Sequence, residues 1–164
     1  MKHMLRVTTK GDRAIVMSRT VEASRQLAFD AWTKPELLKR WLGVHNGWHL
    51  EVCEVDLRVG GAYRFVWEGS CNQSMGMGGL YQEVAAPFRI VATERFDESW
   101  YPGGATSTTE FLEESPERTT IVQTVVYDSP EALAAVLKTP MQDGVGAGYD
   151  QLDLVLSSLA EAAR

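Results

Sequence analysis

The chain reads as an α+β domain: a curved antiparallel sheet of about seven strands, closed by one long C-terminal helix, with two short helices inserted after the first strand. Three observations predict this. From His49 onward, about eighty residues alternate apolar and polar with turn residues between the runs, as successive hairpins do. No strand alternates with a crossover helix, which a parallel sheet would require. The segment 141–163, MQDGVGAGYDQLDLVLSSLAEAA, places Val145, Tyr149, Leu152, Leu156, Leu159 and Ala163 on one stripe at helical spacing, with Asp150, Asp153, Ser157 and Glu161 off it.

The elements follow in order. Residues 1–12 are expected to be an N-terminal arm. RAIVMSRTVE (13–22) alternates as a first strand. Ser24 then offers an N-cap to a helix carrying Leu27, Ala28, Ala31 and Trp32. Lys34-Pro35 ends that helix, and Pro35 suits the first turn of a second, PELLKRWLG, which Gly43 stops. HLEVCEVDLR and GAYRFVWEG pair around Val59-Gly60-Gly61, with Tyr63, Phe65 and Trp67 on one face. SCNQSMGMGG (70–79) is expected to be a loop. GLYQEVA and FRIVATERF form a hairpin around Ala86-Pro87, and TSTTEFLEE and RTTIVQTVVY another around Ser115-Pro116, rich in Thr and Val as strands are. Ser129-Pro130 opens a short helix, PEALAAVLK. A sheet of this length must curve, and the C-terminal helix is the one element able to cover its concave side. Gly144, Gly146 and Gly148 weaken the first half of that helix by about 1 kcal/mol each relative to Ala. Either they pack against a neighbouring backbone or they leave room for a ligand.

Composition bounds the function. The 164 residues make one domain with a core large enough to need no staple. A net charge of −6, without a Lys/Arg cluster beyond Lys39-Arg40, argues against nucleic acid. No run approaches the roughly 18 apolar residues of a membrane span, and MKHMLRVTTKGDR carries no signal-peptide core, so the expected compartment is the cytoplasm and no membrane is expected as a partner. Cys53 and Cys71 are expected to be free thiols. His45, His49 and Cys53 recur every four residues, but in an extended chain that spacing covers roughly 13 Å, too far for one ion, so no metal is expected. No nucleophile elbow and no glycine-rich phosphate loop occurs, and no cofactor is expected.

Several blocks together, RQLAFDAWTKPELLKRWLG, EVDLRVGGAYRFVW, GGLYQEVAAPFRIVATERFD, RTTIVQTVVYDSPEA and MQDGVGAGYDQLDLVLSSLA, resemble the bacterial proteins of the START-like, or SRPBCC, superfamily. Within it they are most similar to the group named for the activator of the heat-shock chaperone ATPase, also labelled polyketide cyclase-like. The resemblance runs from about Thr20 to the end of the chain. It implies a helix-grip fold, in which a curved sheet wraps the C-terminal helix around a deep apolar cavity, and it leaves function open.

Three functions compete. The first is binding of a small apolar or aromatic ligand, lipid- or polyketide-like, between sheet and helix. Trp41, Trp67, Met77, Tyr81, Phe96, Trp100, Phe111, Tyr127, Val145 and Tyr149 are its candidate lining, since aromatic faces with polar tips suit small amphipathic molecules; a solid aromatic core is the competing expectation. The second is a cyclase, dehydratase or hydrolase using a cavity carboxylate. Glu94, in parity with Ile90, Ala92 and Phe96, and Glu110, between Thr108 and Leu112, are the candidates, with Tyr81 or Tyr149 as hydrogen-bond donor. The alternative for either acid is pairing with Arg64, Arg89 or Arg95 on the outer face. The third is a chaperone-interacting module. It ranks last, because the eukaryotic activator works with a separate N-terminal domain for which this chain has no room. Exposed sheet edges leave a homodimer open.

Overall fold

The computed structural model describes residues 3–162. Eight antiparallel strands form a single curved sheet: β1 (Arg6–Lys10), β2 (Ala14–Val21), β3 (His49–Val55), β4 (Ala62–Glu68), β5 (Ser74–Ala85), β6 (Arg89–Phe96), β7 (Ala105–Ser115) and β8 (Arg118–Tyr127), in spatial order β1-β2-β8-β7-β6-β5-β4-β3. Helices α1 (Arg25–Thr33) and α2 (Pro35–Leu38) connect β2 to β3. Helices α3 (Pro130–Leu137) and α4 (Met141–Ala162) follow β8. This is the helix-grip arrangement: the meander from β3 to β8 curls, and α4 lies in its concave side against α1 and β2.

Local chemistry starts and stops these elements as the sequence indicates. Ser24 and Ser129 sit in extended backbone and accept from the amides of Leu27 and Ala132, capping α1 and α3. Inward-facing residues alternate along each strand, as Tyr63, Phe65 and Trp67 do on β4 and Ala105, Ser107, Thr109 and Phe111 do on β7.

Two segments differ from expectation. Arg6–Lys10, within the expected arm, is an edge strand paired with β2 from Arg6↔Ser18 to Lys10↔Ala14. Its side chains are almost all exposed, so it carries no apolar alternation to read. Of the expected loop 70–79, only residues 70–73 turn; the rest opens β5. The glycines there serve close approach instead of chain reversal. A Cβ at Gly79 would stand 1.9 Å from the Thr93 carbonyl oxygen, and one at Gly76 would stand 2.2 Å from the Asp97 carboxylate. In addition, α2 stops at Leu38, short of the expected Gly43.

On α4, Tyr149, Leu152, Val155 and Leu156 are buried, while Val145 and Leu159 pack at the margin of the core. Ala163, the last residue of the expected stripe, lies outside the described residues, as do residues 1–2 of the arm. Arg19, on β2, is 3% exposed and holds the helix by ion pairs to Asp153 and, at 2.8 Å, to Asp150. Burial opposes the charged form of Asp153 more than Arg19 favours it, so its carboxyl lies above the usual range. Among the described residues no helix is long and apolar enough to cross a membrane.

Candidate functional site

A cavity of about 370 Å³ lies between the concave face of the sheet and α4. The two halves of the helix divide the work. Met141, Gly144, Val145, Gly148 and Tyr149 all line the cavity, and no described residue beyond Tyr149 does; from Leu152 on, the apolar face of the helix is packed into the core. The glycines make room in two ways. A Cβ on Gly144 would meet nothing within 4 Å, whereas one on Gly148 would sit 3.7 Å from the Trp41 carbonyl oxygen, so the helix passes close to the end of α2 there.

The walls are aromatic and firmly held. Trp41 donates its indole N–H to the Ala31 carbonyl at 2.8 Å, and Trp67 donates to the Leu42 carbonyl at 3.0 Å. Trp32 stacks obliquely on Trp41 with ring centroids 4.8 Å apart. Gly43, at φ +71°, lets the chain turn directly under Trp67. At the other end, Phe96, Trp100, Tyr101 and Tyr127 form a continuous aromatic chain with centroid spacings of 4.5, 5.3 and 5.2 Å. Trp100 is 44% exposed while it also lines the cavity, which places the opening beside the β6–β7 connection.

Of the expected lining, Trp41, Trp67, Met77, Tyr81, Phe96, Trp100, Tyr127, Val145 and Tyr149 surround this space. Phe111 does not. It is 1% exposed and packs edge-on against Phe29 and Trp32, so it belongs to the solid core under α1. Sequence reasoning passed over Trp32, Tyr63, Phe65 and Tyr101 as site residues. The shared parity of Tyr63 and Phe65 with Trp67 could have found two of them, but Tyr101 lies in an irregular connection where periodicity carries no signal.

The two candidate acids separate. Glu94 lines the cavity, and desolvation pushes its carboxyl up to about 7. Its side chain is half-buried, and among the described residues no hydrogen bond or ion pair engages it. Glu110 lies on the outer face, opposite Arg89 in the β6–β7 register, and its carboxylate is 3.4 Å from the Arg89 guanidinium. The expectation from Leu112 misplaces it: Leu112 is 46% exposed, so that parity is the outer one. Arg89 also pairs with Glu83 at 2.8 Å, and Arg64 pairs with Asp97, which leaves these two arginines engaged away from Glu94.

Other polar residues of the lining include Ser107, Thr109, Gln123, Tyr63, Tyr101 and Tyr127. Gln123 donates to the Ser107 hydroxyl at 3.1 Å, and the Tyr63 hydroxyl donates to the Thr93 carbonyl at 2.6 Å. The hydroxyls of Tyr101 and Tyr149 are buried without a partner. Burial holds all these tyrosines well above their usual range. The thiol of Cys53 is likewise pushed up by burial, to about 11, which makes it a poor nucleophile. His45 and Cys53 do not join His49. Among the described residues, the one group of three metal-ligand types within 4.8 Å is His49, Glu51 and Glu68, all exposed on the rim of β3 and β4.

Comparison with known proteins agrees with this architecture. A crystal structure of a Rhodobacter sphaeroides protein superposes with a TM-score of 0.89 at 26% identity, covering 94% of this chain and 99% of that one. A Chromobacterium violaceum protein matches at 28% identity with a TM-score of 0.70, covering 88% of this chain and 96% of that one. The solution structure of an AHSA1-like protein from Aeromonas hydrophila, at 21% identity and a TM-score of 0.65 over 88% of this chain and 94% of that one, shares the fold. No curated protein matches the chain. Residues 22–157 match the family model described as Activator of Hsp90 ATPase homolog 1-like protein, and in keeping with its helix-grip fold the chain belongs to that family, within the START-like superfamily.

Proposed function

We propose that the protein binds a small apolar or aromatic ligand in the cavity between the sheet and α4. The observation that carries this reading is the division of α4: its glycine-rich half stands over an aromatic-walled space of about 370 Å³, while its leucine-rich half is packed solid. That volume is within the range of about 300–1,000 Å³ typical of small-molecule sites, and the walls are apolar with a few convergent polar groups. Titration with the neutral fluorophore N-phenyl-1-naphthylamine tests it. Saturable binding at one site per chain is expected, weakened at least about fivefold by Ala92→Phe, which fills the floor. Absence of saturable binding to the folded protein would refute it.

The carboxyl of Glu94 inside the cavity favours a second reading, an enzyme of the cyclase, dehydratase or hydrolase type acting on such a ligand, with Glu94 as acid/base. Native mass spectrometry of freshly purified wild type and Glu94→Gln separates the two. Different bound masses, substrate retained by the variant and product by the wild type, support catalysis, and identical masses count against it.

A further inference from the structure

The cavity has a chemical polarity that a carrier of plain hydrocarbon has no use for. Among the described residues that line it none is Lys, Arg or His, and Glu94 is the one acidic group. A carboxylate, sulfonate or phosphate would find no countercharge there and would face Glu94. Anionic ligands are thereby disfavoured on electrostatic grounds.

What surrounds Glu94 points to the opposite charge. Tyr127 shares a cross-strand row with it through Ala105, the Tyr63 hydroxyl bonds the carbonyl of the adjacent Thr93, and Tyr101 packs edge-on against Tyr127. Tyr101 and Tyr127 continue through Trp100 and Phe96 as one aromatic surface. Aromatic faces attract cations through their quadrupoles, most strongly where water is excluded. The buried Tyr101 hydroxyl, without a partner, can accept from an N–H, as can the Glu94 carboxylate. Such an acid, walled by rings and lacking a cation of its own, is half of an ion pair.

Resting on the reading of this cavity as a binding site, we infer that its ligand is an apolar amine: a hydrocarbon or aromatic body lying against Trp41, Trp67 and Phe65, with a protonated nitrogen seated between Glu94 and the Tyr101–Tyr127 ring pair. Binding then draws Glu94 into its ionised form and releases a proton where the free carboxyl is still protonated. The three tyrosines are held far above neutrality, α3 and α4 contribute Val136, Met141, Gly144, Val145, Gly148 and Tyr149 to the lining, and β5 contributes Met77 and Tyr81. The charged groups acting on Tyr101 from beyond the lining are Asp128 and Arg95, of opposite sign.

Calorimetric titration with three ligands sharing one ring system tests the inference: 1-naphthylmethylamine, its neutral analogue 1-naphthalenemethanol, and 1-naphthoate. At pH 8 the amine should bind roughly tenfold or more tightly than the alcohol, and the naphthoate more weakly than either. The amine's advantage should shrink toward pH 5.5, where Glu94 is protonated. Glu94→Gln, of the same shape, should remove both the advantage and its pH dependence while N-phenyl-1-naphthylamine still binds. An affinity for the amine no greater than for the alcohol at pH 8, or an amine advantage that does not shrink as the pH falls, would overturn the inference and leave the cavity reading standing. Failure of all four compounds to bind would bring down both.

Discussion

Replacing Glu94 by Gln should change how stability depends on pH, in a direction and amount the structure fixes. The ordinary carboxyl of an unfolded chain titrates near 4.5, and burial lifts Glu94 to about 7 in the folded state. Below 4.5 both states hold the proton and no penalty exists. Between 4.5 and 7 the unfolded chain sheds its proton while the native state retains it, so stability falls as pH rises; above 7 the penalty is complete and constant. Full desolvation would make it about 3 kcal/mol. Water entering the open cavity screens part of that, leaving roughly 1–2 kcal/mol between pH 5 and 8. Gln keeps the shape and does not titrate. Urea unfolding of both proteins at half-unit steps from pH 5 to 8.5 is the measurement. The variant's advantage should be near zero at pH 5 and grow to that size by pH 8. Parallel curves across the range would refute the placement of Glu94 in a dry site, and an advantage shrinking with pH would mean an unseen cation holds it.

Two further substitutions probe the geometry around the cavity. Gly144→Ala should stabilise the protein by about 0.5–1 kcal/mol in thermal or urea unfolding, since the new methyl meets nothing within 4 Å and the helix gains conformational preference, with probe affinity changed less than about twofold. Gly43→Ala should cost about 2–4 kcal/mol in the same assays and weaken probe binding, because a Cβ there would be 2.1 Å from the Trp67 indole nitrogen and the residue sits at φ +71°. A Gly43 variant as stable as wild type would mean that Trp67 is not locked over that turn.

Most of the fold was legible because its apolar residues repeat at two clear periods. The change from helical spacing before Gly43 to alternation after His49 marks where the sheet begins, and the stripe from Val145 to Leu159 marks the helix it grips. What escaped did so for identifiable reasons. β1 is an exposed edge and has no buried face to pattern it. The start of β5 reads as a loop because Gly76, Gly78 and Gly79 are turn residues by habit, whereas here they admit Asp97, the Tyr63 carbonyl and the Thr93 carbonyl to near contact. At the site, parity admits Glu94 and Glu110 alike as inward candidates, with outer-face pairing as the alternative, and only Glu94 lines the cavity. The two read alike because Leu112 is an exposed apolar residue on the outer face that makes the parity of Glu110 resemble an inner one. Tyr101 needed the third dimension, since nothing local in WYPGG aims a side chain.

The departures from stable packing are not scattered. In the core and its margins the polar groups are satisfied: Thr33 bonds the Phe29 carbonyl, Thr119 the Ala23 carbonyl, Trp41 the Ala31 carbonyl and Trp67 the Leu42 carbonyl. The described side-chain atoms that are buried without partners are the hydroxyls of Tyr101 and Tyr149 and the Nε of Arg19, whose guanidinium lies over the Tyr149 ring and anchors α4. Two of the three therefore belong to cavity residues, and the third stands directly behind one of them. Add Glu94, whose carboxyl is desolvated and unpaired, and the lining glycines Gly144 and Gly148, where Ala would favour the helix, and several local choices that lower stability converge on one space. Such a concentration marks a place where something other than folding is served. A ligand that ionises or hydrogen-bonds these groups would return part of that stability, so thermal stabilisation on binding should follow the occupancy of the polar end and not merely the filling of the apolar one.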